Sequence, residues 1–492
     1  EHLTTAEKIA EKSIVLLKND GLLPIRKDLR SVAVIGPAAD TVSYGDYTET
    51  RGRKGGVSVL DGIRAAVSPE TEVLYERGCN FLGQALHPFD PSMLRDENGE
   101  AGLTGRYYNG PVPQGKPVQV RTDRTVNFNW IFALPHPALD ANCFSVAWTG
   151  SVVMPRTMDG CIGLSTQDSM RLYVDDKLLI DGWGKDKSAD QALDFHFEAG
   201  RTYKIRIEFV NDRRGARVIF GYSAGRENFP AAVEAARKAD VAILCMGDNE
   251  ETSGENFDRT DLNLPGRQLE LVQAVYATGT PVVLVLQSGR PVTANWENDH
   301  LPAILEAWFP GEQGGTAIAK TLFGDAAPGG RLPITFPRSV GQIPCHYSRR
   351  PGGGKRYVEM DWLPLYPFGY GLTYTTFAYR DMTLSRSVIG PQDTVTVSVT
   401  VTNTGKYTGD AVPQLYVRDM FSSVVKPERQ LAAFRRLTLA PGESRRVELT
   451  VGPKQLRTLG PDYVWRVEPG KFELQLGDNA ENILLRADLT VE

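Results

Sequence analysis

The run Val241-Ala242-Ile243-Leu244-Cys245-Met246 is apolar throughout and empties directly into Gly247-Asp248-Asn249-Glu250-Glu251-Thr252-Ser253-Gly254-Glu255-Asn256-Phe257-Asp258-Arg259. A short, unbroken apolar run ending at a glycine fits a fully buried strand. The segment after it is a long loop with five carboxylates and one terminal arginine. A loop at the carboxyl end of a strand is where an open α/β sheet places its ligands. A carboxyl group there can act as a general acid when its surroundings keep it protonated. A plain solvated acidic loop is the other reading of the same residues.

The rest of the chain sorts into blocks around this strand. Thr4 to Lys18 has helical spacing, with Ile9, Ile14, Val15 and Leu17 apolar and Thr4 or Thr5 as cap. Ser31 to Pro37 reads as a buried strand and turn, Val59 to Val67 as a helix and Thr71 to Tyr75 as a strand. Strand, helix and strand at this spacing imply a parallel crossover. From Gly102 to about Gly225 the helical signal disappears. Short alternating stretches such as Phe144–Trp148, Arg171–Val174 and Tyr203–Phe209, with a hairpin turn at Asp175-Asp176-Lys177, spell an all-β sandwich.

At Phe229 the α/β pattern resumes. Ala231–Ala239 and Gln268–Ala277 read as helices, and Pro281–Leu286 and Ala303–Trp308 as strands, before the turn at Pro310–Gly315. The α/β pieces on either side of the β stretch are each too small for a good core alone. One α/β domain interrupted by an inserted β-sandwich is therefore expected, ahead of two separate α/β domains. Beyond Tyr374, Thr394–Val401 and Arg446–Val451 alternate strictly between turns, as in an immunoglobulin-like sandwich. The expected fold is multi-domain α/β plus all-β: 1–97 and 227–372 as one open α/β sandwich, 98–226 as the insertion and 373–492 as a terminal fibronectin type III-like sandwich.

The 492 residues bound roughly three domains. A net charge of −5 gives no reason to expect nucleic acid or an anionic membrane as partner. No apolar run is long enough to span a bilayer. The five cysteines lack CxxC spacing and no histidine pair has helical metal-ligand spacing, so no metal and no cofactor are expected. Cys245 reads as a small core hydrophobe. The chain begins at Glu1 rather than methionine, which suggests that something upstream has been removed.

Several stretches together resemble the non-barrel part of a glycoside hydrolase of family 3, the β-glucosidase and β-xylosidase group. They are Glu11 to Pro24 with Ala33-Val34-Ile35-Gly36-Pro37, then Ser253-Gly254-Glu255 with Asp258-Arg259 and Leu264-Pro265-Gly266, and Pro364 to Tyr374. The β insertion is similar to the protective-antigen-type sandwich of some members, on Gly105-Arg106-Tyr107-Tyr108, Trp148-Thr149-Gly150 and Leu178 to Trp183. Exposed-looking aromatics there are Tyr107, Tyr108, Trp130, Trp148 and Trp183, with Trp148 and Trp183 read as core. In members that carry it, the insertion is implied to overhang the active site and limit substrate length.

The resemblance implies a retaining mechanism with two carboxyl groups. Glu255 would be the general acid/base, and Glu251 is the rival for that role. The family's nucleophile is an aspartate on a preceding barrel, and no segment here resembles that barrel. Met360-Asp361-Trp362 has a superficial likeness to the nucleophile motif but reads as a structural turn. A barrel as a separate chain or a severed N-terminal segment is thus the implied partner, with carbohydrate as substrate and a homo-oligomer possible. Asp258 and Arg259 are expected to pair and brace the loop, and they join Glu251 as candidates for substrate contact. Asp46 and Tyr47 form a second candidate loop, able to grip a sugar hydroxyl and stack on a pyranose, or simply a capped turn. Asn256 stands where the family has glycine, and asparagine tolerates the left-handed backbone such a position needs. A non-catalytic carbohydrate-binding scaffold remains the alternative function. A nucleotide-binding protein is disfavoured, since no strand leads into GxGxxG or GxxxxGK[ST]. A periplasmic or secreted location is expected ahead of a cytoplasmic one.

Overall fold

The structure is a computed structural model that describes residues 1–48, 55–82, 86–130, 134–166, 168–184, 191–211, 217–224, 229–250, 252–352 and 356–492. The chain divides into two compact units, Glu1–Phe81 with Phe229–Glu492, and Leu82–Asn228.

The first unit is built on a six-stranded sheet of β1 (Val15–Asn19), β2 (Ser31–Ile35), β3 (Glu72–Glu76), β4 (Val241–Gly247), β5 (Val282–Gln287) and β6 (Ala303–Glu306). Their order across the sheet is β1-β6-β5-β4-β2-β3. Neighbours are parallel except β1, which runs antiparallel to β6. Every residue of β2, β4, β5 and β6 is buried, because helices cover both faces. One face packs against α1 (His2–Ser13), α2 (Val59–Ala66) and α5 (Gly314–Leu322), and the other against α3 (Phe229–Lys238) and α4 (Gln268–Tyr276).

The expected helix over Thr4 to Lys18 is corrected: it ends at Ser13, and Val15–Asn19 is the edge strand β1. Ile14, Val15, Leu16 and Leu17 are consecutive apolar residues and all are buried, which a one-faced helix cannot achieve. Ile9, counted toward the helical stripe, is 65% exposed. Neither threonine caps the helix, whose N-cap is Glu1.

The segment Pro364 to Tyr374 ties this sheet to the terminal sandwich. Leu372 bridges Leu16, and the Tyr370 hydroxyl donates to the Leu17 carbonyl at 3.1 Å. Buried Asp410 of the sandwich accepts from Lys12 of α1 at 2.6 Å and from Arg436 at 2.9 Å. In the sandwich, Val395–Asn403 alternates buried and half-buried without a break, as its sequence predicts for a strand with one face on a core.

The second unit is all-β. Phe144–Val153 and Thr202–Asn211 are central to one sheet, and Met158–Thr166 and Arg217–Ala224 to the other. His87–Pro88 and Leu94–Arg95, which the sequence pattern leaves in the first α/β stretch, pair with strands of this unit. Of its singled-out aromatics, all but Trp183 are buried or packed on the core rather than forming a platform. Tyr107 and Trp148 are fully buried, Tyr108 nearly so, and Trp130 packs against Phe128 with ring centroids 4.7 Å apart. Trp183 is half-buried beneath the Arg171 guanidinium. Buried Asp123 explains how the polar ends of two of these rings are tolerated. It accepts from the Tyr107 hydroxyl at 2.5 Å, the Trp148 indole at 2.7 Å and Arg121 at 2.7 Å.

Candidate active site

The strand order of the sheet fixes where a ligand can sit. From β2 the chain moves outward to β3, then returns to β4 on the other side of β2. The loops leaving the carboxyl ends of β2 and β4 therefore flank the point where the strand order reverses, where sheets of this kind have their ligand crevice. The first loop carries Asp46 and Tyr47, and the second carries Glu255.

The two loops touch. The Glu255 backbone N–H donates to the Asp46 carboxylate at 3.2 Å. A Cβ on Gly254 would lie 2.6 Å from Asp46 Oδ2, so any larger residue there would have to push the carboxylate away. Gly247 has φ +138° and a Cβ there would lie 1.9 Å from the Gln287 carbonyl oxygen, so the exit from β4 also requires glycine. Asn256 takes φ 64°, in the left-handed region that its type tolerates. The Glu255 side chain is exposed at the crevice edge, and Tyr47, with φ 60°, is 78% exposed beside Asp46.

Beneath the exposed tip lies a buried polar layer that sequence patterns do not single out. Asp248, the first residue after β4, is 1% exposed. It accepts from the Thr252 hydroxyl at 3.0 Å and Arg259 at 3.1 Å, and Arg290 approaches it at 3.9 Å. Burial pushes the Asp248 carboxyl up from its ordinary value, and the Thr252 hydroxyl and the two guanidinium groups oppose that rise. Glu306, at the end of β6, is fully buried, and burial pushes its carboxyl up to about 8. It accepts from the Trp308 N–H at 2.8 Å and meets the Ser288 hydroxyl at 3.1 Å. That hydroxyl also reaches the Arg290 carbonyl at 2.9 Å. A hydroxyl has a single hydrogen to donate, and a protonated Glu306 resolves the conflict by donating to Ser288 itself. The available signal in the sequence is positional: Asp248, Arg290 and Glu306 each stand at or just beyond the end of an apolar strand.

The expected pair of Asp258 with Arg259 is corrected. Arg259 turns inward to Asp248, to Asp261 at 3.4 Å and to the Asn263 carbonyl at 2.6 Å, while Asp258 is exposed. A buried carboxylate offers Arg259 far more than a solvated neighbour. Glu251 lies outside the described residues. Asp361 accepts the Leu363 N–H at 3.0 Å, the signature of an Asx turn, which fits the structural reading of Met360-Asp361-Trp362. A cleft of about 440 Å³ lies elsewhere, lined by Tyr347, Trp362, Phe368 and Glu481 among others. Arg349 there is already paired to Glu428 and Glu481 and lies over the Trp362 ring. None of the candidate site residues lines it.

The family model for the glycosyl hydrolase family 3 C-terminal domain matches residues 14–374, and the fibronectin type III-like model matches 411–480. The chain belongs to glycosyl hydrolase family 3. Among curated relatives, a β-glucosidase of Rhizobium radiobacter is 34% identical over 520 residues, covering 98% of this chain and 62% of that protein. A β-xylosidase of Formosa agariphila is 45% identical over 302 residues, covering 59% of this chain and 42% of its own length. The crystal structure of the Kluyveromyces marxianus β-glucosidase in complex with glucose matches the whole chain with TM-score 0.74 and 28% identity, over 62% of its own length. This chain thus spans less than two thirds of these relatives. None of its described strands forms a closed barrel. No helix among the described residues is long and apolar enough to cross a membrane. One relative 43% identical over 263 residues, covering 51% of this chain and 34% of its own length, is a periplasmic β-glucosidase of Salmonella typhimurium.

Proposed function

We propose that this chain supplies the general acid/base for retaining hydrolysis of terminal β-linked glucose or xylose from short oligosaccharides or glycosides. Glu255 is the proton donor, and the nucleophilic aspartate comes from a barrel outside these residues. The reading rests on one observation: Glu255 stands exposed at the strand-order crevice, its backbone held by Asp46 of the facing loop. Relatives named β-glucosidase and β-xylosidase support the substrate class.

Retaining hydrolysis needs two carboxyl groups about 5–5.5 Å apart, one to attack the anomeric carbon and one to protonate the leaving oxygen. The second then takes a proton from the water that releases the sugar. A donor must stay protonated near neutral pH, which desolvation and a neighbouring negative charge achieve. An exposed carboxyl on a loop edge gains both when substrate and the nucleophile-bearing domain cover it. Asp46 anchors the loop backbone and Tyr47 offers a ring to the sugar face. Asp258 and Glu251 are the remaining candidates for substrate contact. Arg259 instead holds the loop from below. A relative named periplasmic β-glucosidase supports a periplasmic or secreted location ahead of a cytoplasmic one.

The test is hydrolysis of aryl β-glucosides by this chain alone and together with a family barrel. Turnover only in the combination is the expected result. Its absence in every combination would instead favour a carbohydrate-binding scaffold.

A further inference from the structure

We infer that Arg290 is a positioning residue that clamps the segment bearing the proposed proton donor, an inference that rests on the acid/base reading of Glu255. Its Nη2 lies 3.3 Å from the Thr252 carbonyl oxygen and 3.3 Å from the Phe257 carbonyl oxygen. Those two carbonyls bracket Glu255. Six residues fully extended would span about 20 Å. Two oxygens that share one nitrogen are forced several-fold closer, so the segment is closed into a tight loop with Glu255 at its tip.

The clamp is itself held. Arg290 follows β5 by three residues, so its backbone is rooted in the central sheet. Its carbonyl accepts from the Ser288 hydroxyl, which also meets buried Glu306. Its side chain is three-quarters buried (23% exposed), and its Nε faces buried Asp248 at 3.9 Å. Asp248 in turn binds Thr252 and Arg259 of the same loop. Loop and clamp therefore share one anchor, and the loop's open side rests on Asp46. A planar guanidinium can serve two carbonyls from one nitrogen while keeping its remaining edge toward a carboxylate; a lysine ammonium offers only a point charge on a flexible stem.

A proton donor displaced by about 1 Å can lose on the order of 100-fold in rate. With the chain assembled with its barrel, Arg290→Gln is expected to lower kcat/KM about 100-fold for aryl glucosides with poor leaving groups. The loss for strongly activated ones is expected to stay within about 3-fold, because those depart without a proton. Arg290→Lys is expected to recover part of the loss. The second readout needs no activity. In this chain alone, Arg290→Gln should speed amide hydrogen exchange at Ser253, Glu255 and Phe257 at least about tenfold, with β4 and β5 unchanged. Unchanged exchange at these three amides, or an equal loss on both substrate classes while Glu255→Gln remains selective, overturns the clamp. If Glu255→Gln itself loses equally on both classes, the acid/base reading falls, and amide exchange alone decides whether Arg290 holds the loop.

Discussion

Replacing Glu306 by Gln should change how the stability of the α/β unit depends on pH. Glu306 is fully buried, and burial raises its carboxyl from an ordinary 4.5 to about 8. Between those values the folded protein holds a proton that the unfolded chain releases. Stabilisation from this group is therefore complete below 4.5 and is lost as pH rises through 8. Between pH 5.5 and 8 the loss works out at on the order of 3 kcal/mol. Glutamine keeps the shape: its carbonyl can accept the Trp308 N–H and its amide can donate to the Ser288 hydroxyl. Buried Glu297, also raised, to about 7, is intact in both proteins and cancels in the difference. Urea unfolding at a series of pH values, compared between wild type and Glu306→Gln, measures the effect. The variant should gain on wild type by about 3 kcal/mol from pH 5.5 to 8. Two curves that stay parallel across this range would show that Glu306 folds as a carboxylate and refute the reasoning.

Arg259→Ala should cost about 3 kcal/mol in urea unfolding, because it strips buried Asp248 of its nearest cation; a loss under about 0.5 kcal/mol would mean the pair behaves as a surface one. In the β unit, Asp123→Ala removes the shared acceptor of Tyr107, Trp148 and Arg121. Calorimetry should show that unit destabilised by about 3–5 kcal/mol, with the transition of the α/β unit unmoved.

The architecture is legible in the sequence because apolar runs such as Val241–Met246 and Val282–Leu286 are too short for helices and are bounded by turn residues, and because strict alternation marks the terminal sandwich. The candidate loop is legible too, since it leaves the carboxyl end of a buried strand, but that it faces the β2 loop follows from a strand order that local sequence does not give. Strand β1 mimics a helix because four consecutive apolar residues satisfy helical spacing in part, and only pairing with β6 selects the strand. The inward turn of Arg259 is hidden because its partner, Asp248, lies eleven residues away across a loop whose path no local rule gives. Tyr107 looks exposed because a sandwich strand's alternation does not say which face is inside until its neighbours are known. Arg290 and Glu306 belong to no motif, although a charge at the end of a buried strand is a signal in itself.

The most direct test of the central claim is chemical rescue of Glu255→Ala in the chain combined with a family 3 barrel. Without a base, water cannot release the glycosyl intermediate efficiently, whereas azide needs no deprotonation. With an activated aryl glucoside, azide should restore turnover and give a glycosyl azide of retained β configuration. Turnover of Glu255→Ala that equals wild type without azide, or a loss that azide leaves untouched with every leaving group, would contradict Glu255 as the acid/base.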